Sequence, residues 1–143
     1  MILVYSLLEE NRDRLITQLV NHVRGEDRLY QKISRLELKE SISALYDAYV
    51  DFLVSKNKAK LSITLTYIVR SRVSQSFGLS AILKAALCFL PVFRVFFDDH
   101  KAMAYAEPAI FQMIERLIEI FEEQQQSKPK KNIDLSKLMI YRG

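Results

Sequence analysis

Glycine and proline are scarce in this chain, with three of each among 143 residues. These residues supply most of the tight turns between short strands, so an all-β protein of this length would need many more of them. Half of the residues are hydrophobic and 27% are charged, which is enough apolar surface for one buried core. We therefore predict one all-α domain over residues 1–126, a helical bundle of about five to six helices.

The periodicity of apolar residues places the first helices. The first helix should run from about Val4 to Arg24 and end at Gly25, and a short helix should cover residues 26–33. Ser34 and Glu37 have the spacing of a capping box. They predict a helix whose buried stripe is Leu38, Ile42, Leu45, Tyr49, Phe52 and Leu53.

The second half of the chain holds the expected centre of the bundle. Residues 59–76 fit a helix, although alternation at Leu61, Ile63, Leu65 and Tyr67 fits a strand nearly as well. Ser80 should cap a long, apolar, central helix over residues 81–97, which Pro91 should kink because proline has no amide hydrogen. A last helix should follow the Asp98–His100 turn, with Pro108 as a kink or a new start.

The net charge of +4 is confined to the end of the chain. Residues 1–126 hold 16 basic and 16 acidic residues, whereas residues 127–143 hold five basic residues and one acidic residue. A basic face across the domain, which is typical of nucleic-acid binding, is therefore not expected. We therefore do not expect nucleic acid as a partner. The second alternative function is a nucleic-acid binder that uses the basic tail.

Residues that carry chemistry are few and scattered. Cys88 has no second cysteine to pair with, and His22 and His100 show no metal-ligand spacing. Phosphate-loop and nucleophile-elbow motifs are absent from the sequence. Arg72 falls on the inner side of its helix, where it needs a partner, and we expect an ion pair with Asp98 or Asp99. We predict no catalytic residues, no metal and no cofactor; a haem-binding sensor that uses His22 or His100 is the first alternative.

Two apolar segments near the C-terminus indicate contacts with other chains. The last helix has more apolar surface than one small bundle should need, so we predict a homodimer interface at Ile110, Met113, Ile114, Leu117, Ile120 and Phe121, joined by Ile2, Leu3 and Val4. In the tail, Lys128–Lys131 should form a flexible spacer. The apolar residues after it should dock on another regulatory protein or fold back on the domain or its dimer mate: Ile133, Leu135, Leu138, Met139 and Ile140.

Two motifs resemble the RsbR/RsbRD N-terminal domain family. The run Ser6–Ile16 (SLLEENRDRLI) is similar to the start of the family's first helix. The segment Arg72–Ser80 (RVSQSFGLS), followed by Ile82 and Leu83, is similar to the family's turn into a long apolar helix, although Phe77 precedes Gly78 here and the family has the reverse order. The resemblance covers about residues 4–126.

The resemblance implies a non-haem, globin-like fold with no catalytic residues. Domains of that family dimerise and act as sensory or protein-interaction modules in bacterial stress signalling, usually ahead of a STAS domain. Only 17 residues follow residue 126, so a free-standing adaptor is an equal expectation.

The N-terminus has no signal-peptide pattern, and the apolar run of about nine residues at Ala85–Phe93 is too short for a membrane span, which needs about 20. A cytoplasmic location is expected.

Overall fold

The computed structural model describes the backbone of residues 2–133 and the side chains of residues 3–126. Over that range the chain forms no β-strand. Its helices are α1 (Ile2–Glu10), α2 (Arg12–Glu26), a 3-10 helix (Arg28–Lys32), α3 (Arg35–Ser55), α4 (Ala59–Ser74), α5 (Leu79–Leu87), α6 (Phe89–Phe96) and α7 (His100–Ile133). Single residues separate α1 from α2 and α5 from α6. Counted as two bent helices, these pairs leave six helices in the described range, which confirms the predicted all-α bundle of five to six.

The first helix is bent where the sequence predicted a continuous one. The Asn11 side-chain amide donates to the Leu7 carbonyl at 2.9 Å, competing with the backbone amide that donates to the same oxygen at 3.1 Å. Side chains of this type interrupt helices by such local bonds. Gly25 does not end α2, which continues to Glu26, and no described glycine has a positive φ. The extended backbone of Asp27 ends the helix instead.

The predicted N-cap and buried stripe of α3 are confirmed, but only half of the capping box forms. The Ser34 hydroxyl accepts a hydrogen bond from the Glu37 amide at 3.0 Å, as an N-cap residue does. The Glu37 carboxylate contacts α4 rather than returning to the cap. All six residues of the predicted stripe are buried: Leu38, Ile42, Leu45, Tyr49, Phe52 and Leu53.

Residues 59–74 are helical, which excludes the strand alternative. Leu61 and Leu65 are buried, whereas Ile63 and Tyr67, which a strand would place on the same face, are 72% and 68% exposed. Gly78 precedes the next helix, α5, which begins at Leu79. Ser80 is therefore inside the helix that it was predicted to cap, and that prediction is wrong.

The central apolar helix is kinked, as predicted, but the break lies at Cys88. Pro91 has no amide to donate to the Leu87 carbonyl, so α5 ends at Leu87 and α6 begins at Phe89. Pro91 is then in the first turn of α6, where an amide would have no intrahelical partner. The Phe93 ring of α6 packs edge-on against the rings of Tyr46, Tyr49 and Phe97, with centroids 5.6–6.4 Å apart.

The last helix, α7, continues through Pro108 and runs antiparallel to α3. The Tyr49 hydroxyl donates to the Ala106 carbonyl at 2.7 Å. Further along α7, Leu117 lines the same interior cavity as Leu38 and Ile42, which come before Tyr49 in α3. The helical backbone reaches Ile133, so the prediction of a flexible spacer at Lys128–Lys131 is wrong.

Candidate interaction surfaces and the buried arginine

Arg72 is the one charged residue that the described part of the chain buries, with 2% of its surface exposed. Its guanidinium donates to Ser41 Oγ at 2.8 Å, Gln75 Oε1 at 3.1 Å and Glu37 Oε2 at 3.4 Å. The expected ion pair exists, but its partner is Glu37 and not Asp98 or Asp99. The error arose because those aspartates are exposed in the α6–α7 turn, whereas Arg72 faces the start of α3.

A small cavity lies beside Arg72. Its volume is about 20 Å³, and its walls are mostly apolar side chains of α3, α4 and α5. A buried water needs about 10–15 Å³, so the cavity holds water-sized groups only. Tyr30 also lines it and donates its hydroxyl to the Ala81 carbonyl at 2.6 Å.

The buried phenols and the thiol are held in their neutral forms. The Tyr46 and Tyr49 hydroxyls donate to the backbone carbonyls of Leu8 and Ala106. Burial raises the pKa of both tyrosines and of Tyr30 above the ordinary range, and it raises the pKa of Cys88 to about 12. A neutral thiol and neutral phenols are poor nucleophiles. The three tyrosine hydroxyls tie helices together instead.

The two histidines are exposed and lie on different helices. His22 borders a cleft between α2 and α6, next to Pro91 and Val95. His100 begins α7, beside Arg94 and Asp99. Within the described residues, no group of three or more His, Cys, Asp or Glu side chains could hold a metal ion.

The predicted dimer seam lies inside the chain. Exposure is 0% for Ile110 and Met113, 2% for Leu117 and Ile120, and 9% for Ile114, while Phe121 is partly buried against the core. Helices α3, α4, α5 and α6 all contact α7. A second copy cannot contact the five buried side chains in the folded chain, so their assignment to an interface is wrong. For Phe121, which is only partly buried, the interface stays a prediction. Val4 is buried and Leu3 is exposed.

The predicted docking segment lies almost wholly outside the described residues. This applies to Leu135, Leu138, Met139 and Ile140; Ile133 is described by its backbone alone.

A groove with acidic residues separates α1 from α3, and we call it the α1–α3 groove. It has a volume of about 370 Å³ and is lined by Tyr5, Glu9, Asp47, Val50, Asp51, Val54, Ser55 and Lys60. Arg12 donates to both Asp47 oxygens at 2.8 Å, so Asp47 is already neutralised. Glu9, Asp51 and Lys60 have no ion pair with a described residue. The groove therefore offers two free carboxylates, one free ammonium and an apolar strip.

Other large apolar side chains are exposed on separate faces. Ile63 and Tyr67 lie one helical turn apart on the outer face of α4, and Val95 of α6 is 82% exposed beside the α2–α6 cleft. On α7, Phe111 is 45% exposed. Scattered exposed apolar residues are normal, and Ile63 and Tyr67 differ from the others named here in being neighbours on one face.

The stretch Leu79–Phe96 is long and apolar enough to cross a membrane by length and composition alone. Only 44% of it is buried in the bundle. It contains the break at Cys88, and its aromatic residues form the core around Phe93. Core helices of soluble proteins meet the same criterion, so this stretch is weak evidence of a membrane span.

The exposed residues on these surfaces were not predicted from the sequence. Tyr5, Val54 and Val95 lie in helices whose apolar content exceeds one stripe, so the sequence does not say which apolar residues are left outside. Ile63 and Tyr67 could have been identified, because a helical reading of residues 59–76 places both opposite Leu61 and Leu65.

Comparison of the chain with protein-family models, with curated proteins and with solved structures gave no match.

Proposed function

We propose that this chain is a non-catalytic sensory or protein-interaction domain that works as a homodimer in a bacterial cytoplasmic signalling or regulatory complex. The proposal rests on which polar groups are buried and which apolar side chains are exposed. The buried polar groups around Arg72 and the buried tyrosines bond to the chain itself, whereas large apolar side chains such as Ile63, Tyr67 and Val95 are exposed.

The bacterial, cytoplasmic and stress-signalling parts of the proposal come from the resemblance to the RsbR/RsbRD N-terminal domain family, as does a globin-like arrangement of the helices. The all-α bundle is compatible with that resemblance. The two motifs that carry it coincide with local features of the fold: Ser6–Ile16 spans the bend at Asn11, and Arg72–Ser80 contains the buried arginine and the turn into α5.

Site-specific photo-crosslinking in the native host tests the interaction role. A benzophenone amino acid at Tyr67 or Val95 should capture a discrete protein, because these side chains face solvent on apolar surfaces. Ser80, exposed and polar on another helix, is the matched control position. Equal, diffuse capture at all three positions would contradict a dedicated contact surface.

Haem titration separates the proposal from the sensor-globin alternative. We expect no stoichiometric Soret band, because His22 and His100 are exposed on different helices and the interior cavity admits only water-sized groups. A stoichiometric band that is lost in His22→Ala or His100→Ala would overturn the non-haem assignment.

A further inference from the structure

We propose that the exposed face of α4 binds the surface of a membrane that contains anionic lipids. We call it the α4 outer face, and it consists of Lys60, Ile63, Tyr67 and Arg70, with Lys56 and Lys58 at its N-terminal end. The inference goes beyond the proposed function, whose protein contact it assigns to a different surface, such as the one around Val95. Three features support it: the segregation of charge, the unpaired cations and the exposed apolar pair.

Charge is segregated along the chain, although residues 1–126 are neutral as a whole. Residues 52–97, which include α4, α5 and α6, hold seven basic residues and no acidic residue. Residues 1–51 hold seven basic and nine acidic residues, and residues 98–126 hold two basic and seven acidic residues. The neutral total therefore conceals a positively charged middle segment between two negatively charged ones.

Ion pairs neutralise only part of this middle segment. Three of its seven cations pair with carboxylates of the flanking segments: Arg72 with Glu37, Lys84 with Asp27, and Arg94 with Glu107. The other four are exposed and have no ion pair with a described residue: Lys56, Lys58, Lys60 and Arg70. All four belong to the α4 outer face or to its N-terminal end, so the unpaired positive charge is gathered there.

The α4 outer face also carries an exposed apolar pair. Its four helical residues lie at i, i+3, i+7 and i+10, which places them on one side of α4, opposite the buried Leu61 and Leu65. The stripe is about 15 Å long at 1.5 Å per residue. Ile63 and Tyr67 are 72% and 68% exposed, so they project from the helix between a cation at either end.

This combination fits an anionic lipid surface. Interfacial helices place apolar side chains in the headgroup layer and lysine or arginine on anionic lipids, and tyrosine is enriched at that level. A bilayer with anionic lipids presents a negative potential over the whole contact area, which repels every carboxylate. A protein partner can instead pair charges of both signs at fixed points. The absence of acidic residues from 52–97 therefore favours lipid over a protein.

Sedimentation of the full chain with vesicles tests the charge requirement. The chain should sediment with phosphatidylcholine vesicles that contain phosphatidylglycerol, but not with vesicles of phosphatidylcholine alone. Lys60→Ala and Arg70→Ala should each weaken binding about fivefold, the effect of one cation at an anionic surface. Lys32→Ala, which removes an exposed cation from the 3-10 helix, is the matched control and should bind like the wild type.

The basic tail needs a control of its own, because it also carries cations. The triple variant Lys128→Ala, Lys130→Ala, Lys131→Ala should still bind the mixed vesicles and still depend on Lys60. If this variant loses all binding while Lys60→Ala and Arg70→Ala bind like the wild type, the tail is the lipid contact and the inference is overturned.

Tryptophan fluorescence tests contact of the apolar pair with lipid. The chain has no tryptophan, so Tyr67→Trp places a single fluorophore on the α4 outer face. Its emission should shift to shorter wavelength when the mixed vesicles are added. Phe111→Trp, on the exposed face of α7, is the matched control and should not shift. An unshifted Tyr67→Trp, or an equal shift in both variants, would overturn contact through this face.

Two further results would assign the α4 outer face to another partner. Duplex DNA that binds through Lys60 and Arg70, without vesicle binding, would indicate nucleic acid. A discrete protein captured by the photo-crosslinker at Tyr67 would indicate a protein, overturning the lipid contact while supporting the proposed function. A wild-type chain that sediments with neither kind of vesicle would overturn the lipid contact alone, because the protein contact at Val95 is tested separately.

Discussion

Arg72 and Glu37 form an ion pair in which only one partner is buried. The Arg72 side chain is 3% exposed and the Glu37 side chain is 43% exposed. Bulk water can hydrate the carboxylate if its partner is lost, whereas the guanidinium is almost entirely withdrawn from bulk solvent. The pair is therefore energetically asymmetric: loss of the carboxylate leaves a buried cation, whereas loss of the cation leaves a solvated anion.

Glu37→Gln should consequently destabilise the chain by about 1–3 kcal/mol, the range for a buried group left without its charged partner. The double variant Glu37→Gln, Arg72→Met should cost less than the sum of the two single changes. Urea unfolding measures all three, with Glu40→Gln, an exposed carboxylate on the same helix, as the control. Additive costs would show that the two residues are not coupled.

Asp27 makes stability depend on pH. The amide of Leu29 and the ammonium of Lys84 donate to its carboxylate at 3.0 and 3.1 Å, and they lower its pKa below the ordinary 3.8. A carboxyl whose pKa is lowered on folding adds stability above its unfolded pKa, and this contribution is lost as the pH falls through the folded value.

Asp27→Asn keeps the acceptor oxygen but removes the charge, so it should lower the urea midpoint at pH 6 and have a smaller effect at pH 3. The difference between variant and wild type cancels the titration of the other carboxylates. An equal difference at both pH values would mean that the charge contributes nothing.

At the scale of helices, apolar periodicity predicted the elements better than their ends. The buried stripe of α3 and the N-cap at Ser34 could be predicted, because both depend on residues that are three or four positions apart in the sequence. The bend at Asn11 and the end of α2 at Asp27 were not, because the sequence does not show whether such a polar side chain bonds to its own backbone or faces solvent within a continuous helix. Arg72 was assigned correctly to the interior, but its partner is on α3, 35 residues away, and helical angle does not report such a distance.

Helix α6 is short, but it should contribute strongly to stability. Phe93 is fully buried among the rings of Tyr46, Tyr49, Phe89 and Phe97. Phe93→Ala should therefore cost about 3–5 kcal/mol, the usual range for a buried phenylalanine. Phe111→Ala removes the same atoms from a side chain that is 45% exposed, and it should cost less than about 1 kcal/mol. Similar urea midpoints for the two variants would contradict the central role of α6.

For the whole molecule, the sequence predicted how much apolar surface the helices carry. It did not predict whether that surface packs inside the chain or against a second copy. A heptad-like stripe on α7 fits a partner helix from the same chain as well as one from a second copy. The seam was assigned to a dimer because the bundle seemed too small to cover it. In the structure, α3, α4, α5 and α6 all contact α7, and the large apolar side chains that stay exposed are other residues, among them Tyr5, Val54, Ile63, Tyr67 and Val95.

Met113→Asp tests whether the apolar stripe of α7 belongs to the core of one chain or to an interface between two copies. Met113 is completely buried, and an unpaired carboxylate there costs several kcal/mol, a large part of the 5–15 kcal/mol that holds a typical domain folded. The variant should lose cooperative urea unfolding at every protein concentration. Phe111→Asp, on the exposed face of the same helix, should unfold like the wild type and controls for the added charge. If Met113→Asp instead gives a monomer with wild-type stability, the side chain lies in an interface between copies and the burial of α7 described above is wrong.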